Sequence, residues 1–135
     1  MNRKWLLLVG TADLLILSLL DKLAFRYFLY WKYGWFDILM HLGGGLAIGL
    51  LSTWAYFELL AKSAETGWSW GRLLTFNLSF AVAIGAIWEL FEVLVDRIIV
   101  FNWFDSVKDT LVGIGGSLLA GLIIGYLRSW PKQNS

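Results

Sequence analysis

Cysteine is absent from the 135 residues, which removes disulfides, thiolate metal sites and cysteine nucleophiles together. Proline occurs once, at Pro131, so no proline breaks a helix before the last few positions. Charge is scarce too. Charged residues make up 16% of the chain, against roughly 25% in an average soluble domain. A soluble protein this small has a large surface to cover with polar groups, and this sequence lacks them. Histidine occurs once, and the net charge is only +1. No basic patch exceeds a few residues, so nucleic-acid binding has no support.

What is present is apolar: 59% hydrophobic residues, including nine tryptophans. The solvent these residues fit is a lipid bilayer. A hydrocarbon core about 30 Å thick takes roughly 20 helical residues to cross, and four segments qualify, at about 5–27, 36–60, 73–100 and 111–127. The expectation is an all-α, multi-pass protein of the cell (plasma or inner) membrane. Residues 1–135 would form one domain, a four-helix transmembrane bundle. Asn2, Arg3 and Lys4 before an apolar run resemble the start of a signal peptide. No small-x-small cleavage pattern follows, and Asp13 interrupts the run, so the segment reads as an uncleaved first helix.

Lysine and arginine placement sets the expected orientation. With both termini cytoplasmic, the inner side holds Arg3, Lys4, Lys62, Arg72, Arg128 and Lys132, and the outer side holds Lys22, Arg26, Lys32, Arg97 and Lys108. Aromatics crowd the first outer connection (Phe25, Tyr27, Phe28, Tyr30, Trp31, Tyr33, Trp35) and recur at Phe101, Trp103 and Phe104. Such residues favour the headgroup zone, so both outer connections are expected to lie in the interface.

Alternating spans place the start of the second, the end of the third and the start of the fourth on one membrane face. That face receives Asp37 and His41, then Glu89, Glu92 and Asp96, then Asp105 and Asp109: six of the ten carboxylates and the only histidine. Asp37 and His41 are i, i+4, and Glu89, Glu92 and Asp96 are i, i+3, i+7, so each set shares a helix face. Asp105 and Asp109 do the same if the helix already includes Asp105. Each face continues into small residues: His41 to Gly45, Gly49 and Ser52; Glu89 back to Gly85, Ala81 and Asn77; Asp109 to Gly113, Gly116 and Ala120. Stripes of this kind let membrane helices approach closely, so the acidic faces are expected to be the packing faces.

Asp96, Asp105 and Lys108 read first as solvated charges at helix ends. Glu89 differs. Counted from residue 100 it lies about 12 to 16 Å deep at 1.5 Å per residue. An ionised carboxylate there costs about 2.5 to 3.5 kcal/mol without a partner or a wet cavity. Asp13, near the middle of the first span, either bonds to Asn77 or Ser79 or extends a polar path inward. The run Gly43-Gly44-Gly45 is no phosphate loop, because the Lys-Ser/Thr ending and the preceding strand are missing.

Carboxylates crowded together must hold protons, be neutralised by bases, or bind a cation. Arg97 and Lys108 are the nearest bases, with Arg26 and Lys32 in reach from the first loop, and an excess of acid remains. A divalent metal is the natural remedy, with Asp37, His41, Glu89, Glu92 and Asp109 as its expected ligands. Carboxylate with imidazole suits Mn, Fe or Zn, and carboxylate alone suits Mg or Ca. Bundle-core metal sites are built from such pairs on facing helices. If the site is catalytic, the chemistry it suits is metal-assisted hydrolysis or transfer on a membrane lipid. Glu89 and His41 are then the expected catalytic residues, Glu89 as general base, and Asp105, Asp96, Arg97 and Asp13 stand at the periphery. A Ser106–His41 nucleophilic pair has no motif behind it.

The pattern Asp37-x-x-x-His41-x-Gly43-Gly44, then Trp88-Glu89-x-x-Glu92, then Asp105-x-x-x-Asp109 with Gly116 following resembles the YjdF-like and VanZ-like small bacterial membrane proteins. The resemblance covers about Asp37 to Gly125. VanZ-like proteins carry asparagine four residues after the final aspartate, where this chain has Gly113, which favours the YjdF-like side. The resemblance implies a multi-helix membrane fold connected with the cell envelope, with Asp37, His41, Glu89, Glu92 and Asp109 as a shared polar centre. Two other readings stand beside an envelope enzyme acting on a lipid or lipid-linked precursor. One is a proton or cation transport component, which four helices could form only as a homo-oligomer. The other is a non-catalytic scaffold whose charges only pair helices.

Overall fold

A computed structural model of the chain describes residues 4–60, 68–95 and 103–129. All of its regular structure is helical. Helix α1 spans Lys4–Tyr27, a short α2 spans Leu29–Lys32, and α3 spans Gly34–Ala55 and runs on as a π-helical turn over Tyr56–Leu60. Helices α4 (Trp70–Val95) and α5 (Trp103–Ser129) complete the described chain. Phe28, at φ 58°, turns the backbone between α1 and α2.

The expected runs at 5–27, 36–60 and 111–127 lie on helices that begin before them, and the described part of the third run lies on α4. The fourth is the clearest case. It begins at Trp103 rather than near residue 111, because Asp105, Lys108 and Asp109 lower hydropathy without opposing a helix. An acid in the first turn also complements the partial positive charge of a helix N-terminus. Residues 96–100, which close the third run, lie outside the described residues. Gly34–Leu60, Trp70–Phe91 and Trp103–Arg128 are long and apolar enough to cross a membrane. Helix α1 matches them in length at 24 residues but carries Lys4, Asp13, Asp21, Lys22 and Arg26.

Helix α3 sits at the centre, packed most extensively on α5, then on α1, and also on α4, which in turn lies against α5. The α3–α5 crossing is a backbone contact. A Cβ placed on Gly45 would run into the backbone of Gly113, and one on Gly49 into the backbone of Ser117. A Cβ on Gly116 would meet the Leu42 carbonyl and the Leu46 amide. Glycine is required at these positions because the main chains themselves touch, the arrangement that small-residue stripes permit in membranes.

Below this crossing a neutral polar knot ties three helices together. The Ser52 hydroxyl on α3 donates to Asn77 Oδ1 on α4 (2.8 Å), and Asn77 Nδ2 donates to Thr53 Oγ1 (3.0 Å). Asn77 Nδ2 also reaches the Ser117 carbonyl on α5 at 3.4 Å, and Ser117 Oγ donates back to the Asn77 carbonyl. All four residues are buried. At the far end Leu6, Tyr56, Phe57, Leu73 and Ile124 form the apolar core, with the Arg128 guanidinium 4.0 Å over the Phe57 ring.

Candidate functional site

The glycine crossing decides which side chains meet above it. His41 lies one helical turn before Gly45, and Asp109 one turn before Gly113. With Gly45 on Gly113 and Gly49 on Ser117, α3 and α5 run parallel, and stepping back one turn brings His41 opposite Asp109. Another turn brings Asp37 level with Asp105. Asp37 and His41 already share a face of α3 through their i, i+4 spacing.

One nitrogen is shared. His41 Nε2 lies 3.5 Å from Asp37 Oδ1 and 3.7 Å from Asp109 Oδ2. The three side chains each offer a ligand atom within 4.8 Å of the other two. Lys108 closes the group from the rim: its Nζ is 3.3 Å from Asp109 Oδ1 and 3.8 Å from Asp37 Oδ2, and it donates to Asp105 Oδ1. Asp109 is the innermost member, 6% exposed. Its Oδ1 stands at ion-pair distance from Lys108 but accepts no hydrogen bond. A buried carboxylate oxygen left so incompletely satisfied is a feature that calls for a reason.

Depth follows from helix geometry. His41 is seven residues into α3 and Asp109 six into α5, about 10 Å from those helix ends at 1.5 Å per residue. Exposed Trp31, Tyr33, Trp35, Trp103 and Phe104 ring this end of the molecule, and aromatic residues of that kind settle at the headgroup level.

The remaining expected residues fall elsewhere. Asp105 is exposed and meets Lys108 at the rim. Glu89 is half-buried on α4 and is not part of the Asp37–His41–Asp109 group. Its level follows from its neighbours. Gly85 faces Thr110, whose methyl lies 3.6 Å from the Gly85 Cβ position, and Asn77 faces Ser117. This antiparallel register carries Glu89 to the level of Ser106, close to the start of α5. That is shallower than a count from residue 100 implies, because the count takes the whole apolar run as buried length. The side chain of Glu92, and all of Asp96 and Arg97, lie outside the described residues.

Asp13 is half-buried on α1, at a crevice of about 310 Å³ between α1, α3 and α5. Of its two readings, the bond to Asn77 or Ser79 is not made. Asn77 is satisfied by Ser52, Thr53 and Ser117, and the Ser79 hydroxyl donates to the Thr75 carbonyl on its own helix. The crevice is otherwise apolar, lined by Trp5, Leu46, Leu50 and Ile124 among others. Two participants carried weaker signals. Lys108 reads from sequence both as a solvated end charge and as one of the nearest bases, and its i, i+1 and i, i+3 relation to Asp109 and Asp105 is the signal that favours the second. The Ser52–Thr53–Asn77–Ser117 knot had a signal too, in hydroxyls and an amide lying on small-residue stripes.

Comparison with known families agrees with a membrane location. A family model described as "Predicted membrane protein (DUF2238)" matches residues 4–130, and the chain belongs to that family. The match takes in α1 as well as the three membrane-spanning candidates. No curated protein and no solved structure matches the chain.

Proposed function

We propose that this member of the DUF2238 membrane proteins holds a divalent metal on Asp37, His41 and Asp109. The site would face the headgroup layer and act on a lipid or lipid-linked precursor of the cell envelope. The observation that carries the reading is the convergence of Asp37 Oδ1 and Asp109 Oδ2 on one imidazole nitrogen, with the other oxygen of Asp109 buried and accepting no hydrogen bond. One imidazole and two carboxylates suit Mn, Fe or Zn and leave coordination positions open for water and substrate. When bound, the metal supplies Lewis acidity and a more acidic water for attack on a phosphoryl or acyl centre. The chain's own part is to orient that centre. In this reading Asp37, His41 and Asp109 would hold the metal, and Glu89, level with Ser106 across the α4–α5 contact, would accept a proton from the attacking water.

The finer topology belongs to the same proposal. Helix α1 serves as a fourth span, both termini are cytoplasmic, and the metal group lies at the outer leaflet, in keeping with the resemblance to YjdF-like and VanZ-like envelope proteins. A transport path has less to support it, because the crevice at Asp13 offers an ion no second polar side chain. The test is elemental analysis of protein purified without added metal, repeated on Asp109→Asn. Near-stoichiometric metal in the wild type and its loss in the variant are expected. A wild type that carries no metal and takes up none from added Mn²⁺ sinks the proposal.

A further inference from the structure

Lys108 pairs with two of the carboxylates a metal would use, on the oxygens that do not face the imidazole nitrogen. Its Nζ lies 3.3 Å and 3.8 Å from oxygens of Asp109 and Asp37, two of the three groups that would hold the ion. A divalent cation and an ammonium sharing the same two carboxylates would stand a few ångströms apart, and their repulsion is strong where water is partly excluded. Each cation therefore weakens the other's hold on the shared carboxylates.

Lys108 also has somewhere to go. Its side chain is 40% exposed whereas that of Asp109 is 8% exposed, so it enters the group from outside on a flexible four-carbon stem. It already spans from Asp105 at the rim to Asp109 in the interior. Its neighbours Trp103, Phe104 and Val107 are exposed apolar side chains, of the kind that rest among lipid chains and headgroups. An ammonium swung outward from α5 would therefore enter the headgroup layer, where the abundant anionic group is a lipid phosphate.

We infer that Lys108 is an exchangeable internal cation. It holds the carboxylates while the metal is absent, and on metal binding it turns outward to take the phosphate of an anionic lipid, which defines the substrate class. The inference rests on the metal reading of Asp37, His41 and Asp109. It couples the two ligands: an anionic lipid that captures Lys108 lowers the competition for the metal, and the metal releases Lys108 to the lipid.

Mn²⁺ affinity tests this in nanodiscs of phosphatidylcholine, with wild type, Lys108→Met and Lys108→Arg compared after a check that each is monodisperse and equally helical. Lys108→Met should bind Mn²⁺ about tenfold tighter or more, and Lys108→Arg should stay within about threefold of wild type, given the 10–100-fold range over which groups around a metal tune its affinity. In discs containing phosphatidylglycerol the gap between wild type and Lys108→Met should close. Accumulation of Mn²⁺ at a charged surface acts on both alike and cannot close it. Inorganic phosphate added to phosphatidylcholine discs should leave the gap open. If Lys108→Met binds Mn²⁺ no tighter than wild type in phosphatidylcholine, the exchange is overturned. A gap that free phosphate closes and phosphatidylglycerol does not overturns the lipid assignment. Absence of binding in all three proteins, Lys108→Met included, overturns the metal reading itself.

Discussion

Two polar groups lie between α3 and α5, one of them tied to α4 as well, and they are built on opposite principles. The Ser52–Thr53–Asn77–Ser117 knot is neutral and closed. The Asn77 side-chain oxygen and nitrogen and its backbone carbonyl all have partners within the bundle. The Asp37–His41–Asp109 group is charged and open. It leaves a buried oxygen without a hydrogen bond and draws in a lysine from the rim. A closed network fixes helices against one another and has no capacity left for a ligand. An open one contributes less to stability and retains that capacity. Position follows the same division, since the knot lies further along α3 and α5 and the open group lies about 10 Å from their ends, within reach of water and headgroups.

The strongest challenge to this contrast is to remove what both groups share. Gly45→Leu forces a side chain into the Gly113 backbone, and overpacking of that kind costs about 1–3 kcal/mol or more when main chains must separate. Loss of folded protein in detergent and loss of metal together are expected, read by thermal unfolding and elemental analysis. Retention of either one would mean that the crossing does not hold that group.

A paired substitution separates the groups. Asn77→Leu removes the centre of the knot and strands the Ser52, Thr53 and Ser117 groups. Its expected cost is about 1–2 kcal/mol on the scale of interhelical bonds in membranes, with Mn²⁺ affinity changed by no more than about threefold, well below the 10–100-fold shifts that partners of a metal site produce. Asp37→Asn should do the reverse, cutting Mn²⁺ affinity by about a hundredfold at the top of that same range while moving the melting temperature little. If both variants lose the same property, the two groups are one cooperative unit and the distinction fails. The smallest binding effect is expected from Glu89→Gln, which should keep Mn²⁺ within about threefold because Glu89 lies outside the ligand group. The variant should nonetheless fail to complement a strain lacking the gene, as a general base would require. A large loss of metal would move Glu89 into the ligand set.

Much of this was legible in the chain. Apolar length marked the helices, the i, i+4 spacing put Asp37 and His41 on one face, and the stripes running through Gly45 and Gly49 and through Gly113 and Gly116 marked the faces on which α3 and α5 pack. Spacing did not show that Glu89 stands outside the group, since a helical face says nothing of how far along a neighbouring helix it meets its partner. The partners of Asn77 were also hidden, because Asp13 and Ser52 are equally plausible on depth alone.

The division has a physical cause. Hydrophobicity and helical periodicity are local properties, so the sequence by itself determined a membrane protein of long helices with acids and the histidine gathered at one end. Which of those acids share an atom's reach depends on rotation and register between helices, and these are non-local. They were decided by the backbone contacts of Gly45 on Gly113 and Gly49 on Ser117, where the absence of side chains lets two main chains touch and carries His41, Asp37 and Asp109 to a common point.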